Sequence, residues 1–430
     1  MNIIPQLSLF GEEENEELGD LERLKMALGS IPDEQLIRRL YKIRGKGRND
    51  WPVEAMWNSF IASFIFEHET VESLLRELKR NSQLRKMCGF TPKSVRQPDG
   101  TYKIYVAPSE SSYSKFLANL KKCQDELNQI FQELVDYMYT HLDRFGSILM
   151  TDGKAIQSFG TRVSKNDKSG ERGEHDADWC RKTYTVSGKN GEATTKIFKW
   201  FGFRLHLIAD ATYELPVAFA VTKASNSETK ESQKLLKEMK KTEPEQFGKC
   251  QYFLADKGYD GAPLTEWLEG NEINPIIDIR NCWKDKEETH QYKDSSLVYN
   301  YEGKVWYVDE TGEKIELVYR GYDKGTDSSR YGFKPQKHDK RVFRIKCSED
   351  IRIFSHVGRQ SHKWERLYAM RSGIERMNGR IDRDYKFEKH TIRGLEKMKM
   401  FINVTFIVYL AMAKAKIERG EKEHLTRLYA

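Results

Sequence analysis

The stretch FGSILMTD, residues 145–152, is a short apolar run that ends in a carboxylate, a pattern typical of a buried strand. After a long polar insert, two further apolar runs around the turn ATY predict a hairpin. The complete order predicts a mixed α/β fold, with three antiparallel strands followed by helix, strand, helix and strand. After the first strand the segments are KIFKWFGFRLHLIAD (196–210), ELPVAFAVT (214–222), SETKESQKLLKEMKK (227–241), CQYFLAD (250–256), APLTEWLEG (262–270) and INPIIDI (273–279).

Three of these runs end in an aspartate, and the strand directions predict which of them share an edge. If the first two strands are antiparallel, Asp210 lies at the opposite edge of the sheet from Asp152. A strand that follows one crossover helix can run parallel to the first, which places Asp256 beside Asp152. Sheets of the α/β class usually build their sites at the carboxyl ends of parallel strands. The order therefore predicts a site at Asp152 and Asp256 and leaves Asp210 out of it.

The composition is that of a soluble globular protein, with 38% hydrophobic and 32% charged residues. A chain of 430 residues exceeds most single cores, so two or three structural units are expected. The net charge of +7 permits a polyanionic partner without requiring one.

Nothing in the sequence indicates secretion or a membrane. The 6 cysteines form no C-x-x-C pair, so neither a disulfide framework nor a zinc knuckle is expected, and a reducing cytoplasm fits. The N-terminus lacks a basic start and a signal-like apolar run. The most apolar stretch, FINVTFIVYLAMA (401–413), is too short to span a bilayer and is predicted to be a buried helix.

Residues 31–90 have a helical pattern. Trp57, Ile61 and Phe64 share one helical face and predict a core stripe. Thr70 is placed to cap the following helix, and Pro52 suits a first helical turn. A short basic surface on the later helices is either a solvated face of the bundle or a DNA contact; its residues are Arg76, Lys79, Arg80, Arg85 and Lys86.

Two segments interrupt the core. The polar insert 153–195 is interpreted as a loop, either plainly solvated or ordered by DNA. Its cations are Arg162, Lys165, Lys168, Arg172, Arg181 and Lys182. Residues 280–355 alternate charges with aromatics and predict a β-rich insertion, with strands at SLVYNY (296–301), KVWYVD (304–309), EKIELVYRG (313–321), RVFRIKC (341–347) and IRIFSH (351–356).

Asp152 and Asp256 are candidate ligands for a hard cation. Mg²⁺ takes oxygen ligands and usually keeps one or two protein carboxylates together with waters and substrate phosphates. Two such ions about 4 Å apart serve in-line phosphoryl displacement and need a shared carboxylate. Asp152 would bridge the ions, Asp256 would hold one, and an acid from another element would hold the other. The alternative for each aspartate is a cap on the turn that follows its strand.

The helical stretch RSGIERMNGRID, residues 371–382, is a candidate source of that acid. Its face carries Arg371, Glu375 and Asn378, with Tyr368 one turn before, and little apolar material. The alternative for Arg371 and Glu375 is a surface ion pair at i and i+4.

ILMTDGK, FLADKGYDG and YAMRSGIERMNGRID together resemble, in order and spacing, the three blocks of bacterial insertion-sequence DDE transposases with a ribonuclease-H-like core. Tyr368, Arg371 and Glu375 fit the family's Y-x2-R-x3-E-x6-K signature. The tail from Phe387 is similar to the family's closing helix, and residues 51–90 are similar to its N-terminal helical domain.

The resemblance implies a metal-dependent enzyme that cleaves and joins DNA strands. It implies Asp152, Asp256 and Glu375 as ligands of two Mg²⁺ ions, with Mn²⁺ able to substitute. Arg371 would hold a DNA phosphate and Tyr368 would contact the DNA backbone. The implied partners are double-stranded DNA, both terminal inverted repeats and target DNA, and a second copy of the chain as a homodimer on DNA. The implied location is the bacterial cytoplasm, at the nucleoid.

The last signature position departs from the family, because Asp382 stands where the signature has lysine. A carboxylate there would repel DNA unless the helix turns it away at Gly379. Arg380 or Arg383 would then supply the DNA-binding charge.

Two other functions remain open from the residues: a ribonuclease-H-like nuclease that does not join strands, and an inactive DNA-binding relative. His206 is expected to be a satisfied core or edge histidine, Tyr259 is expected to pack, and Trp200 and Trp306 are minor candidates for stacking on an extruded base. The predicted units are an N-terminal helical domain that binds DNA ends (1–95), a connector and helix (96–144), the first part of the catalytic core (145–279), the β-rich insertion (280–355) and the C-terminal helices that complete the core (356–430).

Overall fold

The computed structural model describes residues 19–45, 51–163, 173–187, 193–335 and 339–426. Its N-terminal part is helical, as predicted, and begins with a helix that lies before the first predicted one. Thr70 caps its helix through a reciprocal pair of hydrogen bonds with Ser73. The helices are α1 (Leu21–Ser30), α2 (Glu34–Arg44), α3 (Val53–Ile65), α4 (Val71–Arg80) and α5 (Ser82–Cys88).

The predicted core stripe on α3 is confirmed, because Trp57, Ile61 and Phe64 are all buried. Pro52 lies at the N-cap of α3, one position before its first turn. The basic surface is partly engaged within the bundle: Arg80 pairs with Glu77, and Arg85 donates to the carbonyl oxygens of Leu78 and Lys79.

The connector contains more structure than the sequence indicated. Around the start of the predicted connector (96–144), the chain forms the hairpin β1 (Lys93–Arg96) and β2 (Tyr102–Tyr105), which turns at Gly100 with φ of 86°. The single helix predicted within 96–144 is two helices, α6 (Glu110–Leu120) and α7 (Gln124–His141), with a tight turn between them.

The central region is a six-stranded mixed sheet. β3 (Ile148–Gln157) pairs antiparallel with β5 (Ala193–Asp210), and β5 pairs antiparallel with β6 (Pro216–Lys223). On the other side of β3 lie β7 (Tyr252–Ala255) and β8 (Asn274–Ile277), both parallel to it. The expected strand directions are therefore confirmed. The intervening helices are α8 (Glu228–Thr242), α9 (Pro244–Phe247) and α10 (Ala262–Glu269).

The interpretation of residues 153–195 as a loop is wrong. β3 continues five residues past Asp152, and an additional strand, β4 (Asp178–Ser187), pairs antiparallel with the first half of β5. The first and second predicted strands are consequently not joined by a simple hairpin. We call β4 and residues 193–202 of β5 the β4–β5 arm, because residues 203–210 of β5 pair with β3 and β6 whereas residues 193–201 pair with β4. Lys165, Lys168 and Arg172 lie outside the described residues.

The β-rich insertion is confirmed and has its own hydrophobic core, but two of its predicted strands differ. IRIFSH (351–356) forms turns, and EKIELVYRG divides into two strands, β12 (Lys314–Glu316) and β13 (Val318–Asp323). Two short strands, β9 (His290–Gln291) and β14 (Ser328–Gly332), were not predicted. The strands are β9 (His290–Gln291), β10 (Leu297–Tyr299), β11 (Val305–Val308), β12 (Lys314–Glu316), β13 (Val318–Asp323), β14 (Ser328–Gly332) and β15 (Val342–Lys346).

Three helices close the chain: α11 (His362–Met370), α12 (Ser372–Arg383) and α13 (Leu395–Glu418). At 24 residues, α13 is longer than its apolar stretch indicated and, by length and composition, long enough to cross a membrane. The expectation of a buried helix is nevertheless confirmed, since 83% of its most apolar window is buried. Phe406 packs against Phe219 of β6, with ring centroids 4.9 Å apart, and lies close to Phe131 of α7. One continuous core therefore links the N-terminal helices, the sheet and α13.

Candidate active site

Asp152 and Asp256 lie level with each other on neighbouring parallel strands. The register pairs Ile148 with Tyr252 and Met150 with Leu254, and the same offset carried two residues further brings Asp152 opposite Asp256. Asp256 follows the last residue of β7 and accepts a hydrogen bond of 2.8 Å from the Gly258 N–H. Asp256 therefore stands at the carboxyl end of β7, as the strand order predicted, with Asp152 beside it on β3, which continues to Gln157.

Asp152 is a largely buried carboxylate with few partners. It accepts hydrogen bonds from the Gly153 N–H at 2.8 Å and from the side-chain amide of Asn378 at 2.9 Å. Burial raises the pKa of Asp152, and the Asp256 charge raises it further, whereas Lys182 opposes the rise. A carboxylate held in this way gains from any additional cation placed beside it.

Glu375 lies on α12, where Arg371 engages its carboxylate, and it is not grouped with the two aspartates among the described residues. Its side chain is 59% exposed and accepts a hydrogen bond of 2.7 Å from Arg371. Burial lowers the pKa of Arg371, but the interactions with Glu375, Tyr368 and Asp256 outweigh burial, so the pKa is raised overall. Arg371 is thus within electrostatic reach of Asp256, and it forms with Glu375 the i, i+4 pair that was the alternative interpretation.

No three His, Cys, Asp or Glu side chains are grouped as a metal site within the described residues. The structure brings Asp152 and Asp256 to one edge and leaves Glu375 outside that group. Tyr368 is half-buried and stacks on Trp364, with ring centroids 4.7 Å apart. Burial raises the pKa of Tyr368, and the nearby Asp256 charge contributes to the rise.

The charge of Asp382 is neutralised by Lys154, a residue that the sequence did not indicate as part of the site. Lys154, two residues beyond Asp152 on β3, pairs with the Asp382 carboxylate, and its side chain is 8% exposed. Because alternate residues of a strand share a face, Asp152 and Lys154 both point toward α12. Asn378 and Asp382, one turn apart on α12, contact them in turn. The carboxylate at the departing signature position is therefore part of the attachment of α12 to β3.

The two arginines expected to replace the signature lysine differ in their surroundings. Arg380 donates to Glu214 at 2.8 Å and to the Tyr409 hydroxyl at 3.2 Å. Arg383 is 76% exposed and hydrogen-bonds only to Asp384 among the described residues. Arg380 is consequently engaged inside the fold, whereas Arg383 is open to solvent.

Glu228 is a site neighbour that sequence reasoning missed. It is the first residue of α8, pairs with Lys182 at 2.6 Å and Arg204 at 3.4 Å, and contributes to the raised pKa of Asp152. A side chain on Gly153 would collide with it, because an added Cβ would lie 2.6 Å from the Glu228 Cγ. The only signal for Glu228 in the sequence is its place as an acid in the first turn of a helix, directly after Ser227, which is the N-cap of α8.

Most of the remaining residues named from the sequence, and Asp260 next to Tyr259, are engaged inside the fold. Tyr259 is buried, and Asp260 pairs with Arg352 at 3.2 Å and accepts from the Arg280 N–H. His206 is buried and hydrogen-bonds to Thr222 at 2.8 Å. Trp200 is 2% exposed and donates to the Phe203 carbonyl, so it is not available to stack on a base, whereas Trp306 is half-buried.

Comparison with known proteins gives one decisive result. Residues 144–411 match the family model described as a transposase DDE domain, which is more than half of the chain. A search of curated proteins finds no match.

Solved transposase structures resemble the chain only weakly. A piggyBac transposase synaptic complex with hairpin DNA aligns with 95% of this chain and 78% of its own at 10% identity, with a TM-score of 0.37. A pre-cleavage Mos1 transpososome aligns with 54% of this chain and 60% of its own at 11% identity, with a TM-score of 0.18. A Mos1 mariner paired-end complex with Mn aligns with 62% of this chain and 69% of its own at 14% identity, also with a TM-score of 0.18. These scores are too low to add to the argument, and the domain match alone shows that the chain belongs to the DDE transposase-domain family.

Proposed function

We propose that this protein is a metal-dependent transposase that cleaves DNA at insertion-sequence ends and joins the freed strand to target DNA. The observation that carries the proposal is the level placement of Asp152 and Asp256 on adjacent parallel strands, inside the matched domain. The strand order β6-β5-β3-β7-β8, with three antiparallel and two parallel members, supports a ribonuclease-H-like core.

The side chains at this edge fit Mg²⁺ in kind. Asp152 and Asp256 offer two carboxylates, which is the number that Mg²⁺ commonly takes from a protein when substrate phosphates and waters complete its shell. The side-chain oxygen of Asn378 is buried beside Asp152 and has no hydrogen-bond partner, so it is a further oxygen donor available there. When bound, Mg²⁺ would polarise the phosphate and activate the attacking water or 3′-hydroxyl. Mn²⁺ offers the same preference for oxygen ligands.

The chain's own residues would hold the substrate. Arg371 presents a planar guanidinium that can bind a phosphate through two parallel hydrogen bonds. In the structure that guanidinium holds Glu375, so a DNA phosphate would compete with Glu375 for it. We infer that DNA binding releases Glu375 to act as the third carboxylate beside Asp152 and Asp256. Tyr368 would contact the DNA backbone next to Arg371.

The experiment that tests the function is a strand-transfer assay with a pre-cleaved end taken from the DNA that flanks the gene. With Mg²⁺ and a target duplex, the protein is expected to give joined product, and Asp256→Ala none. Cleavage of an uncut end without any joining would instead favour the nuclease. Unchanged cleavage by Asp256→Ala would contradict the assignment of the site.

Two DNA ends must be held together for transposition, so we also propose a homodimer on DNA. Sedimentation of the protein with duplexes carrying the gene's flanking sequence is expected to give a complex with two protein chains. A complex with a single chain at saturating DNA would contradict the dimer.

A further inference from the structure

The β4–β5 arm is a two-stranded ribbon that continues past the sheet on the side of the candidate site. Residues Asp178–Ser187 pair with residues Ala193–Gly202 in an unbroken antiparallel register. Lys182, on this arm, reaches Glu228 and lies near the Gly153 carbonyl oxygen at 3.5 Å. The arm therefore begins next to Asp152 and extends away from it.

The charge of the arm is strongly one-sided. Among the residues whose side chains are described, 178–183 and 195–202, four are cationic and only Asp178 is acidic. Three of the cations are exposed and form no ion pair with another described residue. These are Arg181, Lys196 and Lys199.

Two of these cations stand directly opposite each other. Arg181 and Lys199 are cross-strand partners, so their side chains leave the same face of the ribbon. Like charges in directly opposed positions destabilise an antiparallel pair. The ribbon thus carries an electrostatic cost in the free protein, which a polyanion lying on that face would relieve.

Large apolar side chains are exposed between the cations. Trp179, Ile197 and Phe198 are 49%, 54% and 49% exposed. Trp179 and Ile197 share the face of Arg181 and Lys199, whereas Phe198 is the cross-strand partner of Lys182 on the opposite face. Aromatic and aliphatic groups interleaved with cations fit a nucleic acid, because phosphates take the cations while sugars and bases take the apolar groups.

We propose that the β4–β5 arm is a second DNA-binding surface of this protein, which holds the duplex beyond the phosphate that lies at Asp152 and Asp256. The proposal rests on the transposase function and adds to it the segment that contacts the flanking duplex. The positive charge of the arm favours DNA over a second copy of the chain, because docking this face on itself would bring like charges together.

The test compares the double variant Arg181→Gln/Lys199→Gln with a matched control, Lys237→Gln/Lys241→Gln. The control removes two exposed lysines from α8 and so changes the net charge equally. Binding to a duplex of the gene's flanking sequence is measured without divalent metal over a range of salt concentrations. Each lost phosphate contact lowers the salt slope by about one, so the arm variant should lose about two while the control keeps the slope of the unmodified protein. The melting temperature of the arm variant should equal or exceed that of the unmodified protein, because the repulsive pair Arg181–Lys199 is removed.

Three outcomes count against the inference. An arm variant with the salt slope of the unmodified protein would overturn it, provided the unmodified protein binds the duplex. Failure of the unmodified protein to bind any flanking duplex would instead contradict the proposed function itself. Finally, if the DNA-free protein sediments as a dimer and Ile197→Asp makes it monomeric, the arm is an interface between copies.

Discussion

Asp152 and Asp210 end similar apolar runs and lie three register positions apart on one antiparallel strand pair, yet their surroundings differ. Asp152 is opposite Leu207, and Asp210 is opposite Leu149. Asp210 is fully buried and accepts three backbone N–H groups, from Gly146, Thr212 and Tyr213. Asp152 accepts one backbone N–H group and the amide of Asn378. Asp210, which is enclosed by backbone donors, therefore stabilises a turn. Asp152 is held mainly by the Asn378 side chain, which can move aside when a ligand binds.

The largest expected effect separates these two aspartates by stability. Asp210→Asn places an amide against backbone N–H donors and should lower the free energy of unfolding by roughly 2–3 kcal/mol. Asp152→Asn should cost less than about 0.5 kcal/mol, because Asn378 can rotate its amide and offer the new side chain its unpartnered oxygen. Chemical denaturation of the two variants measures the difference. Equal losses would show that both residues are structural.

The second expected effect concerns the attachment of α12. Asp382→Lys would face the nearly buried Lys154 with a second ammonium group and should destabilise the protein by about 2 kcal/mol. The exchange Lys154→Asp/Asp382→Lys should recover most of that loss. Thermal unfolding of the single and double variants provides the measurement. A single variant as stable as the unmodified protein and with much tighter DNA binding would show instead that position 382 faces DNA.

A third largely buried carboxylate, Glu269 at the end of α10, is expected to make the stability of the protein depend on pH. Burial, aided by the Asp327 charge, raises the pKa of Glu269 to about 7. One of its side-chain oxygens is buried without a hydrogen-bond partner. Because the folded state holds this proton more tightly than the unfolded state, its contribution to stability is present below about pH 4.5 and is lost as the pH rises through about 7.

Glu269→Gln should therefore be more stable than the unmodified protein at pH 8, by roughly 1–2 kcal/mol, and equal to it at pH 4. Melting temperatures across this range give the comparison. Asp99→Asn serves as a control, since Asp99 is exposed and its pKa is lowered by hydrogen bonds to Thr101. A constant difference between Glu269→Gln and the unmodified protein at all pH values would contradict the account of Glu269.

The sequence predicted the features that depend on strand direction. Counting hairpins and one crossover placed Asp152 and Asp256 together and Asp210 at the far edge, since antiparallel and parallel neighbours leave no other choice. Helical spacing also placed Asn378 on one face with Arg371 and Glu375, but it did not predict that Asn378 contacts Asp152.

The missed features depend on contacts that periodicity does not encode. β4 was not predicted because its run DWCRKTYTVS is paired in an exposed ribbon and has no continuous apolar face. Lys154 and Asp382 are separated by 228 positions, so only the packing of α12 on β3 reveals the pair. Glu375 is engaged in an ion pair with Arg371 and is not grouped with the aspartates among the described residues, and helical spacing allowed this pair but did not select it.

The most direct test of the central claim is Mg²⁺-dependent cleavage of the gene's flanking DNA by Asp152→Asn, Asp256→Asn and Asp210→Asn, each at a temperature where it is folded. The account predicts no detectable cleavage by the first two variants and, per folded molecule, a rate close to that of the unmodified protein for Asp210→Asn. Cleavage at the unmodified rate by Asp152→Asn or Asp256→Asn, or loss of cleavage by fully folded Asp210→Asn, would contradict it.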